Sequence, residues 1–187
     1  SIRKAEALAE EMNWYQATAE LNPLVIEAQK TISYEISEQF GVPDWLIVSM
    51  GSGGSIYSLW KGFKELKHLG ITKSLPKMIG VQPKGSASRV KTMLEGRSEM
   101  MKTSKPLTHA LAILVSEPLQ GELAIKAIKE SNGLGLTVSD TEIFDAELQI
   151  AKREGMFAEP ASSATIAALR KLVEMGKISK SDSVVCP

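Results

Sequence analysis

Residues 45–62 read WLIVSMGSGGSIYSLWKG, and their order of residue types decides the fold. Trp45, Ile47 and Val48 belong to a short apolar run, bounded by Pro43 and Asp44 before it and by glycines after it. That composition predicts a buried strand. Gly51, Ser52, Gly53, Gly54 and Ser55 follow as a tight turn, and residues 56–66 carry helical spacing. Strand, glycine turn and helix in this order aim backbone N–H groups and a positive helix end at an anion, most commonly a phosphate. A Walker loop is excluded, because Lys61 falls too far along to complete it. A dinucleotide fingerprint is excluded too. Its third glycine would stand at Ile56, and the strand predicted at 77–81 is followed by Gln82, Pro83 and Lys84 rather than by a ribose-binding acid. Two readings remain: a cradle for a single phosphate monoester, or a glycine turn that lets a helix pack closely on its strand.

Outward from this stretch, strands and helices alternate. Residues 1–13 are rich in Ala, Glu, Leu and Met and predict a helix. Asn22 and Pro23 open a second, with Ile26, Ile32 and Ile36 along it, running to Phe40 before Gly41. Beyond the strand at 77–81 the pattern weakens over 83–106, apart from a short helix near 89–94. That excursion carries Lys84, Arg89, Lys91, Arg97, Lys102 and Lys105, which either attract an anionic substrate or form a solvated loop. Residues 111–115, LAILV, predict a third strand, broken by Ser116, Glu117 and Pro118. A helix over 121–131 and a strand over 134–138 follow. Ser139 and Glu142 have the spacing of a capping box for a helix over 140–154. Ala158, Glu159 and Pro160 form a turn, Ser162 or Ser163 opens a helix over 165–175, and residues 183–186 make a last strand. The strands are apolar on both faces. The expected fold is therefore α/β: one domain with an open, mostly parallel sheet covered by helices on both faces. Sites in such sheets lie beyond the carboxyl ends of strands, where the turns at 51–55 and 159–163 are both expected.

Composition narrows the function classes. Lys plus Arg equals Asp plus Glu at 22 each, so no overall field favours nucleic acid or an anionic membrane. No apolar run reaches bilayer length and no signal peptide is visible. Cys186 is the single cysteine, which rules out an intrachain disulfide and predicts a reducing, cytoplasmic setting. His68 and His109 stand alone, so neither a metal-ligand cluster nor a Ser-His-Asp set is legible. The chain opens on Ser1 within a helical pattern and ends directly after a strand, which predicts a piece of a longer chain.

Four collinear segments resemble the threonine synthase family: NPLVIEAQKTISYEI at 22–36, PDWLIVSMGSGGSIYSLWKGFKEL at 43–66, PKMIGVQ at 76–82 and AKREGMFAEPASSATIAALRKL at 151–172. Members are pyridoxal-phosphate enzymes sharing a fold type with tryptophan synthase β and threonine dehydratase. The resemblance implies part of that large domain, with the cofactor phosphate held by the main chain at Gly51, Ser52, Gly53, Gly54 and Ser55. Ser52 and Ser55 stand where the family's loop carries two asparagines. Glu159 is implied to lie near the cofactor ring, although its local sequence also reads as a helix-entry turn. Asn22 and Ser55 are implied substrate contacts. Val25 occupies the place of an arginine that commonly binds the substrate phosphate, and Ala28 that of a usual glycine. The cofactor-linked lysine is implied to lie before Ser1, and Lys30 is not it, so no catalytic residue is expected in this chain. The group that meets the pyridine nitrogen is implied to follow Pro187. The implied activity of the complete enzyme, conversion of O-phosphohomoserine to L-threonine and phosphate, would then be missing from the isolated piece. The implied partners are an amino-acid substrate and, for the complete enzyme, a second copy of itself. Two alternatives stay open: a dehydratase, ammonia-lyase or cysteate-synthase-type relative, and a non-catalytic α/β module that binds a phosphorylated metabolite.

Overall fold

Alternate residues of one strand feed two separate cores. The computed structural model describes residues 2–94, 105–116 and 119–187. Its central strand β1, Trp45–Ser49, turns Trp45 and Ile47 to one face and Leu46 and Val48 to the other. This two-residue period on a doubly covered strand explains why the run is apolar throughout. Strands β2 (Lys77–Pro83), β3 (Leu134–Val138) and β4 (Val184–Val185) complete a sheet of order β3-β2-β1-β4, and every pairing is parallel.

The helices are α1 (Ile2–Glu11), α2 (Pro23–Gln29), α3 (Thr31–Gln39), α4 (Gly54–His68), α5 (Ser88–Leu94), α6 (Gly121–Glu130), α7 (Asp140–Glu154) and α8 (Pro160–Glu174). On one face α4 and α6 bring Ile56, Leu59, Phe63, Ala124 and Ile128 against Leu46, Val48 and Met78. On the other, α7 and α8 bring Ile143, Ala146, Ala164, Ala168 and Leu172 against Ile47, Ile79 and Val81. The small alanines on α8 let that helix lie close to the sheet. Among the described residues, no helix is long and apolar enough to cross a membrane. Cys186 sits partly buried at the end of the sheet, and burial pushes its thiol up to about 11.

Three expectations need correction. The helix predicted from Pro23 to Phe40 is two helices, split at Lys30. Ser33 Oγ donates to Lys30 O at 2.6 Å, and α4 crosses there so closely that a side chain on Gly62 would meet that same carbonyl at 2.7 Å. The strand predicted at 111–115 is a 3-10 turn, Leu111–Ile113, and pairs with nothing in the sheet. Ile113 is buried while Leu111 is exposed, and Ser86 Oγ donates to Val115 O at 3.1 Å and accepts from Val115 N–H at 3.2 Å. An apolar run of five cannot by itself distinguish a strand from a wall of this kind. Helix α8 begins at Pro160 with Glu159 as its N-cap, five residues before the predicted start, because proline is favoured at the first helical position.

Candidate functional site

β1 ends at Ser49, and Met50 N–H still donates to Val81 O at 2.8 Å, so the chain leaves the sheet only at Gly51. It then turns into α4 through Gly53, whose φ of 100° lies in the left-handed region that favours glycine. A side chain on Gly53 would meet Gln120 O and Ala124 Cβ, each at 2.9 Å. No backbone carbonyl among the described residues accepts from the N–H groups of Gly51, Ser52 or Gly53. The first turn of α4 adds further N–H groups that no helix can satisfy internally, and no side chain caps it.

These amides open on a cleft of about 260 Å³. Gly51, Ser52, Gly53 and Ser55 form one side, and Glu159 and Ala161 at the start of α8 form another. Ala112, Ile113 and Val115 supply an apolar wall, and Ser49 and Glu20 complete the lining. Two fifteen-residue helices, α4 and α8, thus begin at the same cleft. Each contributes about half a positive charge at its N-terminus. Among the described residues lining the cleft there is no lysine, arginine or histidine, and Glu20 and Glu159 are both acidic. An anion bound there is met by main-chain dipoles and hydroxyls, while the carboxylates favour a ligand that also carries N–H donors.

The apolar wall is pinned from outside. Asp140, the first residue of α7, accepts from Thr108 Oγ and from His109 N–H at 3.0 Å, and its carboxylate lies 2.9 Å from His109 Nδ1. Burial works against ionisation of Asp140, but these hydrogen bonds outweigh it and hold the carboxyl below its ordinary value.

The residues expected at the site divide into those the fold brings together and those it does not. Gly51, Ser52, Gly53, Ser55 and Glu159 share the cleft. Gly54 is buried behind the turn, against Gln120 and Ile26. Asn22 is buried and spent on structure: its Oδ1 accepts from Leu24 N–H at 3.0 Å to cap α2, and its Nδ2 donates to Tyr15 Oη at 2.7 Å. Lys30 pairs with Glu27 and Glu65, and neither it nor Val25 lines the cleft. Lys84, Lys91 and Lys105 stand away from it too, while Arg97, Lys102, Glu117, Pro118 and the side chain of Arg89 lie outside what the structure describes. Sequence reasoning missed Glu20 and the 112–115 wall. Glu20 lies in a segment without periodicity, and the wall was hidden by its resemblance to a strand.

Pyridoxal phosphate carries one phosphate monoester and a polar ring, and the cleft suits it: unpaired amides and the start of α4 at one side, the start of α8 at another, and an apolar wall beside them. The family described as pyridoxal-phosphate-dependent enzyme matches residues 1–187. Threonine synthase of Methanosarcina acetivorans is 45% identical over 168 residues, covering 89% of this chain and 42% of that protein. Threonine synthase of Methanocaldococcus jannaschii is 40% identical over 168 residues, with the same coverage of 89% and 42%. The chain therefore spans less than half the length of these curated relatives. Among solved structures, the processed form of threonine deaminase isoform 2 from Solanum lycopersicum aligns with a TM-score of 0.80 at 25% identity, over 95% of this chain and 46% of that one. Serine racemase from Dictyostelium discoideum, at 24% identity and a TM-score of 0.74 over 97% of this chain and 55% of that one, shares the fold.

Proposed function

The chain belongs to the family of pyridoxal-phosphate-dependent enzymes, and on that premise we propose that the protein containing it is a threonine-synthase-type lyase that converts O-phosphohomoserine to L-threonine and phosphate. The observation that carries this reading is the cleft where the unpaired amides of 51–53 meet the start of α8, in a chain 45% identical to a threonine synthase.

Within the reading, the N–H groups of Gly51, Ser52, Gly53 and the first turn of α4 hold the cofactor phosphate. When bound, the cofactor supplies an electron sink for negative charge at a substrate carbon. Ser52 and Ser55 offer hydroxyl donors at the rim of the turn. Glu159 offers a carboxylate acceptor to a polar edge of the bound group. Ala112, Ile113 and Val115 exclude water from one side, which strengthens the polar contacts opposite. Within this reading covalent chemistry belongs to groups outside this chain, and the isolated chain should not turn over substrate.

A second reading changes the substrate to an unphosphorylated hydroxy amino acid, as in a dehydratase. It is favoured by Val25, an apolar side chain on α2 where the resemblance to threonine synthases implies an arginine. One experiment separates the two. The complete protein, loaded with pyridoxal phosphate, is given O-phosphohomoserine, then L-serine and L-threonine. Phosphate and L-threonine in equal amounts support the synthase. Ammonia and a 2-oxo acid from serine or threonine, with O-phosphohomoserine untouched, overturn it in favour of the dehydratase. Uptake of no cofactor overturns both.

A further inference from the structure

We propose that Gln120 is a positioning residue for the phosphate cradle, and that residue 54 is glycine in order to admit its side chain. This rests on the cofactor reading above.

Gln120 immediately precedes α6, yet its side chain does not cap that helix. The side chain turns instead toward the glycine turn and the segment before α2. Its Nε2 donates to Ala19 O at 3.2 Å, with a longer contact to Glu20 O at 3.5 Å. Its Oε1 lies where a side chain on Gly54 would have to go, and its Cδ would stand 3.2 Å from that Cβ. Its main-chain O occupies the equivalent place at Gly53, 2.9 Å from a Cβ there. One residue therefore touches both buried glycines of the turn, once through backbone and once through side chain.

The two glycines are needed for different reasons. Gly53 has a positive φ and faces a main-chain carbonyl, so its own backbone forbids a side chain. Gly54 is not among the positive-φ residues and is the first residue of α4, a position whose backbone alanine adopts without strain. Besides Gln120, the nearest atom to its Cβ is Ile26 Cδ1 at 3.5 Å, an ordinary contact. Only the Gln120 amide stands in the way. That amide also hydrogen-bonds the Ala19 backbone, next to Glu20, one of the two carboxylates of the cleft, while its Oε1 packs against Gly54 in the turn carrying the unpaired N–H groups. Gln120 thus fixes the distance between the acidic wall and the anion cradle.

The test is a double-mutant cycle in the complete protein, with Gly54→Ala, Gln120→Ala and the pair, plus Gln120→Glu. The readouts are the pyridoxal phosphate dissociation constant by absorbance titration, the 31P resonance of the bound phosphate, and the melting temperature without cofactor. Gly54→Ala, which drives a methyl into the amide, weakens cofactor binding about tenfold or more. Gln120→Ala weakens it by less, and the double variant returns to within about threefold of Gln120→Ala, a strong non-additivity. Gln120→Glu keeps the shape but replaces the donor with a carboxylate. It shifts the 31P resonance and weakens binding, which a side chain acting only by filling space would not do. Additive effects of the pair, or a Gln120→Glu protein with unchanged affinity and resonance, overturn the proposal while wild-type binding leaves the cofactor reading intact. Wild-type protein that binds no pyridoxal phosphate overturns the cofactor reading, and the role of Gln120 in it.

Discussion

Helices α4 and α7 begin in opposite ways. Both follow parallel strands of one sheet and both run for fifteen residues. At α7 the orphan N–H groups are closed by side chains: Ser139 Oγ accepts from Glu142 N–H at 3.3 Å, and Glu142 Oε2 accepts from Ser139 N–H at 2.6 Å. Lys171 Nζ, 3.3 Å from Glu142 Oε1, completes the arrangement from α8. At α4 there is no side-chain cap, a left-handed glycine holds the N-cap position, and the amides before it have no backbone partner among the described residues. The first helix spends its N-terminus on its own stability. The second leaves its N-terminus open, and of the two only the second lines the cleft. A capping residue in place of Gly53 would add an acceptor where the fold presents donors.

The contrast predicts where substitutions will register. Gly53→Ala has the largest effect, because a left-handed alanine costs about 1–2 kcal/mol and its Cβ meets Gln120 O besides. The complete protein carrying it should bind pyridoxal phosphate about a hundredfold more weakly by absorbance titration. Wild-type affinity in this variant would break the comparison on the α4 side. Ser139→Ala should do the reverse: about 1 kcal/mol is lost from stability in urea unfolding while cofactor affinity stays unchanged.

Acid sharpens the same contrast. Burial opposes ionisation of Glu142, but hydrogen bonds from Ser139 and Lys171 prevail and hold its carboxyl at about 2. The folded value thus lies below the unfolded one, near 4.5. The stability Glu142 contributes is then complete above about pH 4.5 and is lost as pH falls toward about 2. Glu142→Gln should flatten the stability–pH curve across that window, and an unchanged slope would remove the carboxylate from the cap. The smallest effect belongs to Ser55→Ala, whose residue lends the cradle an amide that alanine retains. Cofactor affinity should fall by less than about threefold, on the scale of one exposed hydroxyl hydrogen bond. A much larger loss would mean that hydroxyls rather than main chain hold the phosphate.

What could be read from the sequence follows how local each signal is. The glycine turn, the capping box at Ser139 and Glu142, and the apolar strands other than 111–115 are set by neighbours a few residues apart, and each appears where the pattern places it. The start of α8 at Pro160 was obscured because Ser162 and Ser163 also suit a cap. The split at Lys30 depends on α4 passing over Ser33 at Gly62, a contact between residues 29 apart that no local pattern encodes. The wall at 112–115 takes its shape from Ser86, and Gln120 reaches back a hundred residues to Ala19. Asn22 and Gly54 were legible as special positions, but whether each faces a ligand or a neighbour was decided only by packing.

The most direct measurement is a crystal structure of the complete protein with pyridoxal phosphate bound. The phosphate oxygens should lie within about 3.2 Å of the backbone nitrogens at Gly51, Ser52, Gly53 and the first turn of α4, with no cationic side chain of this chain in contact. A phosphate held by lysine or arginine side chains away from the turn, with those amides facing protein or solvent, would contradict the account.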